Sequence, residues 1–81
     1  MNVTNKPISF DMDQARDLFQ RYWMPHPKEM RALYMRIWLK MQGQSKSPGV
    51  DKLMSDRAFL EWFLRDQMQV DVIVRPTALA N

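Results

Sequence analysis

The segment 28–43, KEMRALYMRIWLKMQG, constrains the fold more than any other part of this chain. Placed on a helix at about 100° per residue, its apolar residues fall on two separate arcs. The broad arc comprises Met30, Leu33, Tyr34, Ile37, Trp38 and Met41, and the second arc comprises Ala32, Met35 and Leu39. A single arc is enough for a helix that covers a core. The segment is therefore expected to be the central helix of its domain, or to present its second arc to a partner.

The size of the chain limits how it can be stabilised. Its 81 residues predict one domain, 1–81, near the size at which a single hydrophobic core is only marginally sufficient. It has no cysteine, which excludes disulfides, iron–sulfur clusters and thiolate zinc sites. A hydrophobic fraction of 46% is too high for a disordered chain. Stability must come from packing, within the chain or shared with a partner.

No targeting or membrane signal is recognisable. The first ten residues lack a basic stretch followed by an apolar run, and no apolar run has the length of a membrane span. We therefore expect a cytoplasmic protein that makes no contact with a membrane. The absence of cysteine agrees with that expectation without establishing it.

Both ends of the chain predict extended backbone. In the segment 1–10, a proline disfavours helix, and Ile8 and Phe10 alternate with a serine. Near the other end, the β-branched run 70–75 predicts a strand, whereas 76–81 is expected to be a frayed tail. A lone strand cannot satisfy its own backbone. Its partner is the N-terminal arm, the same strand in a second copy, or a strand of another protein.

Local signals set the bounds of the first helix. Asp11 is placed as an N-cap, and Gln14 follows three residues later as in a capping box. Over 12–23, apolar residues recur at helical spacing, at Ala15, Leu18, Phe19, Tyr22 and Trp23. We predict an amphipathic helix with a single apolar face.

Proline and glycine delimit the second helix. Pro27 suits its first helical position, and Gly43 is a suitable C-terminal stop. The run 44–49 then reads as a linker. The broad apolar arc of this helix is expected to pack in the core.

A third helix is expected to begin at Asp51 or Ser55 and to run to about Gln69. Glu61 and Arg65 form an outward pair on it, and its inner face comprises Phe59, Leu60, Phe63 and Leu64. The predicted fold class is mainly α, with three helices, a short extended N-terminal arm and a C-terminal β-strand that can pair. The second helix should be its central element.

The sequence gives little support for catalysis. The single histidine, His26, lies between two prolines and has no carboxylate at a recognisable ligand spacing. Ser45 and Ser47 have no partnered base, and no glycine-rich phosphate loop is present. We therefore expect no enzyme activity, no cofactor and no metal site.

Basic charge is concentrated in the middle of the chain. Residues 21–52 hold seven basic and two acidic residues, a net charge of +5, against +3 for the whole protein. Such a region could bind nucleic-acid phosphates. The residues for this alternative are Arg31, Arg36, Lys40, Lys46 and Lys52.

The preferred hypothesis is a small non-catalytic accessory, adaptor or inhibitor that binds another protein. Methionine is common here, eight residues in all, and its flexible side chain suits surfaces that adapt to a partner. Surplus apolar surface on the second helix and a strand without an assured partner point the same way. The expected binding residues are Arg31, Met35, Arg36, Trp38, Leu39, Val72 and Val74. A homo-oligomeric structural module, pairing through the same arc, is the remaining alternative.

Overall fold

The computed structural model describes residues 6–46 and 48–76. Within these ranges the chain forms four α-helices, three of them long, and a two-stranded sheet. In chain order the elements are β1 (Ile8–Phe10), α1 (Met12–Trp23), α2 (Lys28–Gln42), α3 (Val50–Leu53), α4 (Arg57–Met68) and β2 (Val72–Val74). The predicted mainly α fold with short extended segments is confirmed. Of the tail predicted for 76–81, all but the exposed Pro76 lies outside the described residues.

The start of α1 follows from its capping residues. The backbone N–H of Gln14 donates to the Asp11 carboxylate at 2.8 Å, and the Asp11 N–H donates to the Gln14 side-chain oxygen at 3.0 Å. Two N–H groups that the helix leaves without partners are thereby satisfied. The predicted bounds of α1 and its capping box are confirmed.

Pro27 directly precedes the first helical residue of α2, one position earlier than predicted. Its ψ of 159° is extended, which makes it the N-cap rather than the first helical residue. Its carbonyl accepts the first helical hydrogen bonds, from the N–H groups of Met30 and Arg31. At the other end, Gly43 adopts a left-handed φ of 69° and terminates the helix as predicted.

Of the two predicted starts of the third helix, Ser55 lies two residues before the first residue of α4, whereas Asp51 lies in a separate short helix, α3. Asp56 has extended backbone angles, and its carboxylate accepts the N–H groups of Ala58 and Phe59 at 3.0 and 3.3 Å. An aspartate that caps the following turn cannot also continue the preceding helix. The short α3 therefore ends before Asp56, and α4 begins after it.

The two ends of the described chain pair with each other. β1 and β2 run parallel, with Ile8 opposite Val72 and Phe10 opposite Val74. The Ile8 N–H donates to the Asp71 carbonyl at 2.9 Å, and the Arg75 N–H donates to the Phe10 carbonyl at 2.8 Å. Of the three partners considered for the C-terminal strand, the structure shows the N-terminal arm.

The core is centred on α4, which packs against α1 and β2. All four residues of its predicted inner face are completely buried: Phe59, Leu60, Phe63 and Leu64. By contrast, Trp38 is the one buried residue among the 15 of α2. The expectation that the second helix is central was wrong. α4 has packed neighbours on two sides, whereas α2 rests on an aromatic edge of the core.

Candidate functional site

Four large apolar side chains form a row on the solvent side of α2. Met30, Leu33, Ile37 and Met41 are between 37% and 51% exposed. Their spacings of three and four residues put them on one face, and the row extends about 16 Å along the helix axis. We call these four residues the outer row. They account for half of the eight large apolar residues that are exposed in the described ranges.

Two aromatic residues determine which way α2 faces. Trp38 is 6% exposed, and its ring centroid lies 5.5 Å from that of Phe59 and 5.3 Å from that of Trp62. Tyr34 packs edge-on against Phe63 at 5.1 Å. Because both rings point towards α4, the outer row lies to one side of them, in contact with solvent.

A network of polar side chains fixes α2 to α4. The Tyr34 hydroxyl donates to the Asp66 carboxylate at 2.7 Å and accepts from the Gln67 amide nitrogen at 2.6 Å. The Gln67 amide oxygen lies 2.9 Å from His26 Nε2, which connects the α1–α2 junction to α4. Burial and the nearby Asp66 carboxylate raise the pKa of Tyr34 above its ordinary value of 10.0. The arrangement connects the two helices and gives the single histidine of the chain a hydrogen-bond partner on α4.

No charged residue of α2 forms an ion pair with another described residue. Within 6–46 and 48–76, the ion pairs lie on α1 and α4 and at Asp71, and none includes a residue of α2. By helical position, Glu29, Arg36 and Lys40 lie along one margin of the outer row. This margin combines an exposed apolar surface with mainly basic charge that has no ion pair among the described residues.

The structure contradicts the environment predicted for most of the broad arc of α2, and it leaves the residues of the second arc half-buried or exposed. The broad arc was expected in the core, yet four of its six members form the outer row. Met35, expected on the free arc, is half-buried against the core, and Leu39 is half-buried as well. Trp38, also predicted to contact a partner, is buried. The side of α2 that packs against the core lies between the two arcs, because Trp38 and Tyr34 face α4.

The strand residues expected to bind a partner are inaccessible. Val72 and Val74 have fully buried side chains. In a parallel pair with this register, their backbone groups point away from β1, towards the outer edge of β2.

Side chains of α4 occupy that outer edge. The Val74 N–H donates to Glu61 Oε2 at 2.8 Å. The carbonyls of Val72 and Val74 accept from Arg65 Nε at 3.2 Å and from Arg57 Nη1 at 3.1 Å. Strand addition at β2, as predicted from the sequence, would have to displace these hydrogen bonds.

The basic residues proposed for nucleic-acid binding occupy separate positions. Arg31 and Arg36 are about 140° apart around α2. Lys40 lies on the same margin as Arg36, and Lys46 is exposed in the α2–α3 connection. Lys52 lies on α3, beside a cavity of about 260 Å³ that Asp56 also lines. The structure brings Arg36 and Lys40 together and does not unite the five residues in one surface.

Within the described ranges, no group of three or more histidine, aspartate and glutamate residues could hold a metal ion. None of the helices described is long and apolar enough to cross a membrane. Comparison of the chain with protein-family models, curated proteins and solved structures gives no match. The outer row and its basic margin must be interpreted from their own chemistry.

Proposed function

We propose that the chain is a small, non-catalytic cytoplasmic protein that binds another protein through the outer face of α2. The outer row is the observation that carries the proposal. Single exposed apolar residues are ordinary on protein surfaces, whereas a continuous apolar row marks a binding surface. Four such side chains on successive turns match the pattern by which a helix lies in a groove of its partner.

The chemistry of the row and its margin supports this mode of binding. Two of its four members, Met30 and Met41, are methionines, whose flexible side chains adapt to the shape of a partner. Arg36 and Lys40 have no ion pair within the described residues and lie beside the row. The expected partner therefore offers an apolar groove with an acidic rim, which these two side chains would contact.

The test is affinity capture from an extract of the native cell with three forms of the immobilised protein. These are the wild type, the double variant Leu33→Gln/Ile37→Gln, and the control Val70→Thr/Ile73→Thr. The control removes exposed apolar residues of similar accessibility, 39% and 40%, outside α2. A protein retained by wild type and control, and lost from the outer-row variant, supports the proposal. Equal retention by all three forms contradicts it.

Two further measurements separate the alternatives. Nucleic acid recovered only at low salt would favour the nucleic-acid hypothesis, because phosphate contacts weaken steeply as salt increases. Sedimentation over a concentration series would reveal self-association through the same row. The residues of α2 carry four positive charges and one negative charge, so pairing two copies of this helix would bring like charges together. We therefore expect a monomer.

A further inference from the structure

A groove lies on the side of α2 away from the outer row. It consists of two cavities of about 410 and 350 Å³, both lined by Trp23, Arg31 and Val50. Because they share these residues, the two cavities adjoin where α2 meets the end of α1 and the start of α3. Each volume lies within the range of small-molecule sites in proteins.

The lining of this groove combines apolar surface with positive charge. Its polar side chains are Gln20, Lys28 and Arg31, and the remaining lining residues are aromatic, aliphatic or methionine. No acidic residue occurs among the described residues that line either cavity. A complementary ligand is negatively charged at one end and apolar along the rest of its length.

Arg31, which lines both cavities, also carries a buried donor without a hydrogen-bond partner among the described residues. This donor is the Nε of its guanidinium group. No other buried side-chain nitrogen or oxygen in the described part of the chain lacks a hydrogen-bond partner. A buried donor without an acceptor is costly and rare in folded proteins. A carboxylate satisfies a guanidinium well, since it accepts two parallel N–H groups at once when the side chain turns towards it.

We propose that the groove binds an aliphatic monocarboxylate, such as a free medium-chain fatty acid. Its carboxylate lies on Arg31 and Lys28, and its hydrocarbon chain lies along Trp23 and Val50. A peptide fits this lining less well, because its polar backbone would lie unsatisfied against apolar side chains. Methionines at three positions of the lining allow it to close around a flexible chain: Met24, Met35 and Met54.

The test compares two ligands of equal chain length, octanoate and 1-octanol, with the full chain at pH 7. Binding is measured by calorimetry and by the shifts of amide and indole N–H signals in nuclear magnetic resonance spectra. We expect octanoate to bind at least about tenfold more tightly than 1-octanol, with shifts centred on Trp23 and Arg31. Equal affinities, shifts centred elsewhere, or no saturable binding of octanoate would overturn the proposal.

Two matched variants test the role of the charge. Arg31→Met keeps the aliphatic stem, and it should weaken octanoate binding at least about tenfold while leaving 1-octanol binding unchanged. Arg36→Met makes the same change on another side of α2 and should alter neither affinity. Octanoate affinity that is equal in the two variants would contradict the assignment to Arg31. If Arg31→Met does not fold, the comparison of the two ligands on the wild type still decides the proposal.

Discussion

The helices α2 and α4 are both amphipathic and rich in apolar residues, yet the fold uses them differently. The 12 residues of α4 include four that are completely buried, whereas the 15 residues of α2 include one buried residue, Trp38. The difference is one of position. α4 packs between α1 and β2, and both of these neighbours cover its apolar face. For α2, contact through Trp38 and Tyr34 leaves the outer row in solvent.

The polar residues of the two helices differ in the same way. Glu61 of α4 accepts the Val74 N–H and lies 3.7 and 3.6 Å from the guanidinium groups of Arg57 and Arg65. Glu61, Arg57 and Arg65 each form a hydrogen bond with the backbone at the outer edge of β2. The charges of α2 have no such partners within the described residues. One side of α2 therefore presents exposed apolar residues beside charged residues that have no ion pair in the described part of the chain, an arrangement suited to contacts outside its own fold.

The largest expected effect on stability comes from comparing a buried residue of α4 with an exposed residue of α2. Phe63 lies within 5.4 Å, between ring centroids, of Phe19, Trp23 and Tyr34. Phe63→Ala should lower the free energy of unfolding by about 3–5 kcal/mol, because it leaves a cavity among these rings. Denaturant unfolding followed by tryptophan fluorescence measures the change. Ile37→Ala, in the outer row, is the comparison and should stay within about 0.5 kcal/mol of the wild type. Similar losses in both variants would show that the two helices are equally central.

The next effect concerns the glutamates of the two helices. Glu61→Ala should cost about 1–3 kcal/mol, because the Val74 N–H loses its acceptor at a part-buried position. Glu29→Ala, on exposed α2, should change stability by less than about 0.5 kcal/mol. Urea unfolding of both variants, with amide exchange at Val74, provides the measurement. Unchanged exchange at Val74 in the Glu61 variant would contradict the proposed role of this side chain.

A smaller effect tests the attachment of α2 to α4. Tyr34→Phe keeps the ring packing and removes the hydroxyl, with an expected loss of about 0.5–1.5 kcal/mol at pH 7. The folded pKa of Tyr34 is raised, so its contribution is complete below the unfolded pKa of 10.0 and disappears as pH rises through the folded value. The stability difference between wild type and variant should therefore shrink above pH 10. Unfolding curves at pH 7 to 11 measure it, and a difference that is constant with pH would argue against the raised pKa.

The smallest effect is expected at the end of the outer row. Met41 is 51% exposed in the last turn of α2, where a positive charge interacts favourably with the helix dipole. Met41→Lys should change the free energy of unfolding by no more than about 0.5 kcal/mol, in either direction. Thermal unfolding of this variant beside Phe63→Ala of α4 makes the comparison, and a large loss in the Met41 variant would place this residue in the core.

The parts of the fold that depend on neighbours in sequence could be predicted. Asp11 and Gln14 determine the start of α1 by contacts over three residues, and Gly43 terminates α2 through its own backbone freedom. The division before α4 carried a local signal as well, since Asp56 precedes a helical pattern and is a preferred N-cap. The predicted start at Ser55 lies two residues before Arg57, the first residue of α4, whereas the alternative start at Asp51 treats α3 and α4 as one helix.

The candidate site could not be predicted from the sequence, because it depends on contacts between distant elements. The helical pattern of α2 contains two apolar arcs, and nothing local indicates that burial falls between them. The positions of Trp38 and Tyr34 against Phe59 and Phe63 decide it. The two large aromatic residues, taken alone rather than as members of a broad arc, were the signal that could have indicated the buried direction.

The parallel pairing of β1 and β2 also has a kinetic consequence. Ile8 and Val72 lie opposite each other across 64 residues of sequence, so their contact closes nearly the longest loop within the described chain. Closing a long loop loses chain entropy before the contact is gained, whereas helices form from local contacts. We therefore expect the helices to assemble around α4 first and the sheet to close late in folding. The two short strands would then be among the first parts of the native protein to open.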